Sequence, residues 1–522
     1  MNSNREENPA STRYYITTAI DYPNGPPHIG HALEKVAADV VARYHRLQGH
    51  DTFFSMGLDE NSQHVVKAAQ ENNADLVSWT NRMDEAFRLA WAKLNISYDR
   101  LIRTTEQAHF RASQEMFRRA QQRGDIYMSI YSGWYCPNGN NFYSSDELVE
   151  GKCPDHPSIE PEWLEEENYF FALSKYSDRL LAHINEHPEF IVPASRRAEV
   201  LGMIRQGLRD FAVSRVVRPG MVHWGVPVPG DEKQVIYVWF DALTNYLTAV
   251  GFPHDPATFA HYWPADAHVI GKDITRFHCL YWPAMLLSAG LPLPRQVAVH
   301  GFITLEGQRI SKSSGNTIDP VELVDSYGAD AVRYYLLRDL SFASDGDFSR
   351  ADFIRHYNDE LANELGNLLN RVVSMIHRYR GGVIPVAGPI GKLEEDIQRA
   401  AAETRTRAGT ALERWDIGGA LNTIWALVRR ANQYIERSEP WHLARQTGQE
   451  NQLNTVLYTA AEVTRLLAVF LAPYIPSASN SMLGQFGLEP AGHTAWSQEG
   501  TWGSGALTHV AAGPLLFPRV EI

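Results

Sequence analysis

Cys136, Cys153 and Cys279 are the only cysteines in 522 residues. Three cannot build a disulfide framework, so the chain suits a reducing compartment. No apolar run is long enough to cross a bilayer, and residues 1–12 are short and polar and carry Glu6 and Glu7, unlike a secretion signal or an organelle transit peptide. The expectation is a cytoplasmic, non-membrane protein with a flexible N-terminus over 1–12. Positive charge is scarce too: 48 Lys and Arg face 61 Asp and Glu, a net charge of −13. That excludes a generic polyanion binder, and any nucleic acid must be met by a local basic surface on an acidic body. What is present is length for several domains, with 44% apolar and 21% charged residues, the balance of a globular chain with large cores.

Tyr14 to Ala19 has strand composition, and Asn24-Gly25 supplies a turn. From Leu33, apolar residues at Val36, Ala37, Val40, Val41, Tyr44 and Leu47 share one helix face, which Gly49 closes. Pro26-Pro27-His28-Ile29-Gly30-His31 therefore falls where a strand hands over to a helix. A helix amino end offers N–H groups and partial positive charge to phosphate, and Gly30 lets a purine ring approach the backbone. His28 and His31, three apart, can share one side and donate to phosphate oxygens. Far along the chain, Arg309-Ile310-Ser311-Lys312-Ser313 runs to Gly315 and Asn316 with the composition of a mobile loop. A lysine that closes on phosphate supplies charge where negative charge builds up. Each stretch alone also describes an ordinary cap or a solvated loop; together they read as a divided nucleotide site.

The pair resembles the HIGH and KMSKS signatures of class I aminoacyl-tRNA synthetases, with Arg309 and Ile310 replacing the first Lys and the Met. Thr18-Ala19-Ile20-Asp21-Tyr22-Pro23-Asn24-Gly25, Tyr237-Val238-Trp239-Phe240-Asp241-Ala242-Leu243 and Ile270-Gly271-Lys272-Asp273-Ile274 narrow the resemblance to methionyl-tRNA synthetases, from about Arg13 to the end. The resemblance implies an α/β fold: a Rossmann-type parallel-sheet catalytic domain over 13–125 and 206–305, split by a connective-peptide insertion over 126–205. A KMSKS loop and stem-contact region over 306–357 and an α-helical bundle anticodon-binding domain over 358–522 complete it. Alternating strand-like and helix-like segments up to Gly124 agree with a parallel sheet. The sheet is expected to resume at Val235–Phe240, then at His268–Gly271 and Val297–Gly301.

By resemblance, ATP with Mg2+ is met by His28, Gly30, His31, Gly271, Lys272, Asp273, Ser311 and Lys312, of which His28, His31 and Lys312 are catalytic. Asp59, just past the second strand, would take the α-amino group of methionine. Ile20, Tyr22, Trp239, Ala242, Leu243, Tyr246, Ile274, Phe277 and His278 would surround its side chain. Singly, most of these are apolar residues near strand ends that core packing explains. A thioether has no strong hydrogen-bonding group, so its selection rests on shape, aromatic contact and exclusion of water. The family usually continues past Asp59-Glu60 with His-Gly; here stand Asn61-Ser62. Asn367, Arg371 and Trp441 fall on the family's anticodon readers, and an amide, a guanidinium and an indole suit unpaired bases. Some relatives carry an additional oligonucleotide-binding domain beyond this point, often a dimer contact, so a monomer is expected.

Cys136, Cys153 and His156 stand at three ligand positions of a zinc knuckle, and Gly139 occupies the fourth. A structural zinc takes four side-chain ligands, so the expectation is a knuckle that keeps its shape by packing. The implied function is methionine–tRNA ligation, with tRNA, methionine and ATP as partners. A paralogue acting on another amino acid would differ in exchange assays across amino acids. A tRNA-binding protein without catalysis would bind tRNA without exchange.

Overall fold

The computed structural model describes residues 12–136, 141–143, 145, 147–154, 157–217, 222, 224–309, 317–339, 342–492 and 495–521. Strand β1 (Arg13–Thr18) leads through a bend to helix α1 (Ile29–Leu47), which Gly49 (φ +91°) ends, and β2 (Asp51–Leu58) returns beside β1. With β3 (Arg100–Arg103) these strands belong to a six-stranded parallel sheet. Its order is β3, β2, β1, Ala267–Gly271, Val297–His300 and Ile191–Val192. The order reverses between β1 and Ala267–Gly271, and a doubly wound sheet opens its ligand crevice at such a point. Ala267–Gly271 and Val297–His300 are buried throughout, as strands covered on both faces must be.

One expected strand is absent. Asp231–Ile236 pairs antiparallel with Ser214–Val216 and Pro227–Val228 in a separate sheet, and Val238–Leu243 is a helix. A short apolar run reads alike as a covered strand or a buried helix turn, and here the helix prevails. The insertion is a four-stranded antiparallel sheet of Asn141–Tyr143, Ile126–Cys136, Glu162–Phe171 and Phe211–Ala212. Ile191–Val192 meanwhile joins the edge of the parallel sheet, so the two lobes interleave between 191 and 212.

One core runs from the α1 face of the sheet into the C-terminal helices, whose longest members are Lys392–Glu413, Ile417–Ser438 and Glu450–Leu471. Asp39 of α1 and Arg333, both fully buried, pair at 2.7 Å. Arg333 also donates to the carbonyls of Pro473 and Tyr474, which fixes α1 against the bundle. Each charge has partners, the condition for burying it. Leu361, Leu365, Leu368, Leu369, Val372 and Ile376 all face this core, as their spacing requires, although Tyr357–Gly366 is wound as a π-helix. Among the described residues no helix is long and apolar enough to cross a membrane.

Candidate functional site

A cavity of about 800 Å³ opens at the carboxyl end of the parallel sheet. That is room for a nucleotide and an amino acid together. Asp21 bridges to Leu58, so the chain leaving β1 runs beside the end of β2 and sets Ile20 and Tyr22 on the wall near Asp59. Ala19, Asn24, His28, Gly30, His31 and Glu34 carry the lining on to α1. Gly271, Asp273, Ile274 and His278 enter from the far side of the switch point.

The amino end of α1 is capped by its own histidines. His28 Nδ1 accepts from Gly30 N at 3.1 Å, and His31 Nδ1 accepts from His28 N at 3.1 Å. The rings stack at 3.8 Å. With each Nδ1 accepting, the proton of each neutral imidazole sits on Nε2, which makes that nitrogen the donor. A Cβ on Gly30 would meet the His28 ring at 2.9 Å, so glycine is needed for this cap as well as for ligand approach.

Asp59 is 2% exposed and its Oδ1 has no hydrogen-bond partner among the described residues. Burial, then the nearby Asp241 carboxylate, holds its carboxyl well above the usual range. A buried carboxylate with one oxygen unsatisfied on a cavity wall is costly unless a cation completes it. Tyr246 Oη and His278 Nε2 meet at 2.7 Å, and His278 Nδ1 lies 3.1 Å from the carbonyl of Ile274. Burial pulls His278 down to about 4, so a neutral ring faces the cavity at neutral pH. Trp239, Ala242 and Leu243 form the remaining apolar wall.

Two expected residues stand outside this lining. Phe277 lies behind Trp239, its ring stacked at 3.7 Å and nearly parallel, so it sets the indole rather than touching the cavity. Lys272 turns its ammonium onto Asp345, at 2.6 and 2.8 Å, over the Phe302 ring. The adjacent carboxylate satisfies the cation at the rim. Ser311 and Lys312 lie outside the described residues. The hairpin that leads to them, Ile303–Leu305 and Gln308–Arg309, turns at Glu306 and Gly307, both with positive φ, and Ile303 and Thr304 line the cavity.

Sequence reasoning missed a polar bracket. Glu34 Oε1 accepts from Lys35 Nζ at 2.7 Å, and Glu34 Oε2 lies 3.1 Å from His300 Nε2. Lys35 also reaches Asp21 and the carbonyl of Ala19. Burial opposes the charge on Glu34, but Lys35 and His300 outweigh it and hold the carboxyl below its ordinary value. The available signal was an acid three residues after His31 on an otherwise apolar helix face.

Residues 14–160 and 157–373 match the family model "tRNA synthetases class I (M)", and 384–518 match "Anticodon binding domain of methionyl tRNA ligase". The methionine–tRNA ligase of Caldanaerobacter subterraneus subsp. tengcongensis is 43% identical over 98% of this chain and 79% of its own length. The chain belongs to the methionyl-tRNA synthetases. The Bacillus subtilis member of that family is 41% identical over 97% of this chain and 78% of its own. The Mycobacterium tuberculosis methionyl-tRNA synthetase in complex with methionyl-adenylate superposes with a TM-score of 0.92 at 39% identity, covering 97% of this chain and all of that one.

The synthetase's expected anticodon readers lie in the bundle. Asn367 is exposed, and Arg371 pairs with Glu436 at 2.7 Å. That contact brings Arg371 to the last turn of Ile417–Ser438, which Glu439 (φ +44°) ends just before Pro440-Trp441. Trp441 is half-buried and packs at the edge of the core. In the insertion, Cys136 and Cys153 are both buried in one small cluster with Tyr143, against Leu148 and Ile159. His156 and Gly139 lie outside the described residues. Gly139 has no donor side chain, so at the family's four ligand positions Cys136, Cys153 and His156 are one donor short of a structural zinc site.

Proposed function

We propose that this chain ligates methionine to tRNA in the cavity at the sheet's switch point, and that the buried Asp59 carboxylate, one oxygen of which has no partner among the described residues, receives the methionine ammonium. It is an ATP-dependent aminoacyl-tRNA ligase, making methionyl-adenylate and then methionyl-tRNA. The observation that carries the reading is one cavity lined both by His28, Gly30, His31 and Asp273 and by Asp59, Trp239, Tyr246 and His278.

The methionine carboxylate attacks the α-phosphorus of ATP and pyrophosphate leaves; the terminal ribose hydroxyl of tRNA then takes the acyl group and AMP leaves. A carboxylate is ionised at neutral pH, so the first step needs no general base. Catalysis is therefore positioning plus charge stabilisation. The Nε2–H groups of His28 and His31 donate to phosphate oxygens, and Lys312 supplies positive charge to the triphosphate. Gly271 and Asp273 receive the ribose side of the nucleotide, with Ser311 beside the phosphates. Lys272 reaches phosphate when it leaves Asp345. Mg2+ arrives with the nucleotide. Ile20, Tyr22, Ala242, Leu243 and Ile274 enclose the thioether, and Phe277 supports Trp239. Exchange assays with methionine, leucine, homocysteine and cysteine test this directly: methionine supports the fastest exchange, and a faster rate with another amino acid refutes the assignment.

Asn367, Arg371 and Trp441 read the anticodon in this proposal. Arg371→Ala lowers charging of a methionine tRNA by about 10- to 100-fold, the scale of one base-reading arginine, and leaves exchange unchanged. Equal losses in both assays would remove Arg371 from recognition. The knuckle holds its shape by packing: protein purified without chelators contains less than about a tenth of an equivalent of zinc, the content of a site missing one ligand. Stoichiometric zinc overturns that reading. The enzyme works as a cytoplasmic monomer in this proposal, and sedimentation checks the oligomeric state.

A further inference from the structure

Behind the methionine wall lies a carboxylate that never reaches the cavity. Asp241, 1% exposed, sits on the Val238–Leu243 helix, the same short helix that presents Trp239, Ala242 and Leu243 to the cavity. Three groups from two other segments meet it. Asn61 Nδ2 donates to Oδ2 at 2.7 Å; Ser113 Oγ donates to Oδ1 at 2.6 Å, and His109 Nε2 lies 2.9 Å from that oxygen. His109 Nδ1 then reaches Thr248 Oγ1 at 3.1 Å, in the turn that carries Tyr246. The same Asn61 amide donates to the carbonyl of Thr104 at 3.0 Å, and the Thr104 hydroxyl accepts from Glu60 N at 2.8 Å. Arg103 holds the Glu60 side chain at 2.7 Å, and Ser62 caps the next helix through His64 N at 3.2 Å.

Phe240 and Leu243 of this helix pack in the core, and apolar contacts alone are not directional. The network on Asp241 adds directional contacts to the same helix, and Asn61 is the member that also fixes the segment carrying Asp59. We propose that Asn61 is a positioning residue for methionine selection, acting through Asp241 with His109 and Ser113. It sets the wall against the substrate side chain and Asp59 against the ammonium in one movement. It touches neither the nucleotide nor the reacting atoms, so its effect falls on amino-acid binding. The inference rests on the methionine-activating reading of the cavity.

The test is ATP–pyrophosphate exchange by the full chain. Asn61→Ala raises the methionine KM about tenfold, the scale of a misplaced binding wall, with kcat and the ATP KM within about twofold. The ratio of kcat/KM for methionine over norleucine and leucine falls with it. Asn61→His, which keeps a ring N–H donor, recovers much of the loss. Ser113→Ala, which removes one donor to the other oxygen, moves methionine KM the same way by less, and it decides the matter if Asn61→Ala does not fold. Unchanged methionine KM and selectivity in a folded variant overturn the inference. So do equal rises in both KM values with a lowered Tm, which mark a merely structural contact. Absence of methionine-dependent exchange in the unaltered chain counts instead against the reading beneath it.

Discussion

Asp59→Asn raises the methionine KM about a hundredfold in exchange and leaves the ATP KM near its starting value, because one partner of a buried charge pair is lost. The same substitution stabilises the ligand-free protein. The sign follows from the raised carboxyl: burial and Asp241 hold the folded value above the unfolded one, so the folded state binds more protons between the two. Stability contributed at Asp59 is thus present at low pH and lost as pH rises through the raised value. An asparagine does not titrate, so the Tm advantage of Asp59→Asn grows across that window. Methionine binding runs the opposite way, since an ammonium needs the ionised form. Within that window, calorimetry in buffers of different ionisation enthalpy shows proton release on methionine binding by the unaltered chain and none by the variant. An unchanged methionine KM would take Asp59 out of the site.

The second large effect is at Lys312. Lys312→Ala slows exchange about a hundredfold or more, the scale of losing a preorganised donor to developing charge. The loss falls on kcat, since a group that closes on phosphate in the transition state adds little to ground-state binding. Pre-steady-state adenylate formation separates this from slowed release. A near-normal rate would remove the lysine from the mechanism.

The strand-to-helix turn was readable because its physics is local. Asn24-Gly25 and the apolar face that opens at Leu33 bracket His28, Gly30 and His31, and the structure uses the imidazoles as the cap itself. Asp59 was readable because β2 ends just before it, and parallel strands deliver their next residues to one edge. Glu34 and His300 are 266 residues apart, and nothing in composition announces that they meet. Val235–Phe240 misled because an apolar run of six carries no period long enough to separate strand from helix, and its second half begins the Val238–Leu243 helix. Phe277 and Trp239 share an aromatic character, and only the stack tells which ring fronts the cavity. Ser62, a departure from the family pattern, has a plain local role as a helix cap.

The most direct measurement pairs two assays on one preparation: exchange with methionine as sole amino acid, then charging of a methionine tRNA with its anticodon intact and altered. The result predicted is methionine-dependent exchange indifferent to tRNA, together with charging that collapses when the anticodon is changed. Exchange that requires a different amino acid, or charging blind to the anticodon, would contradict it.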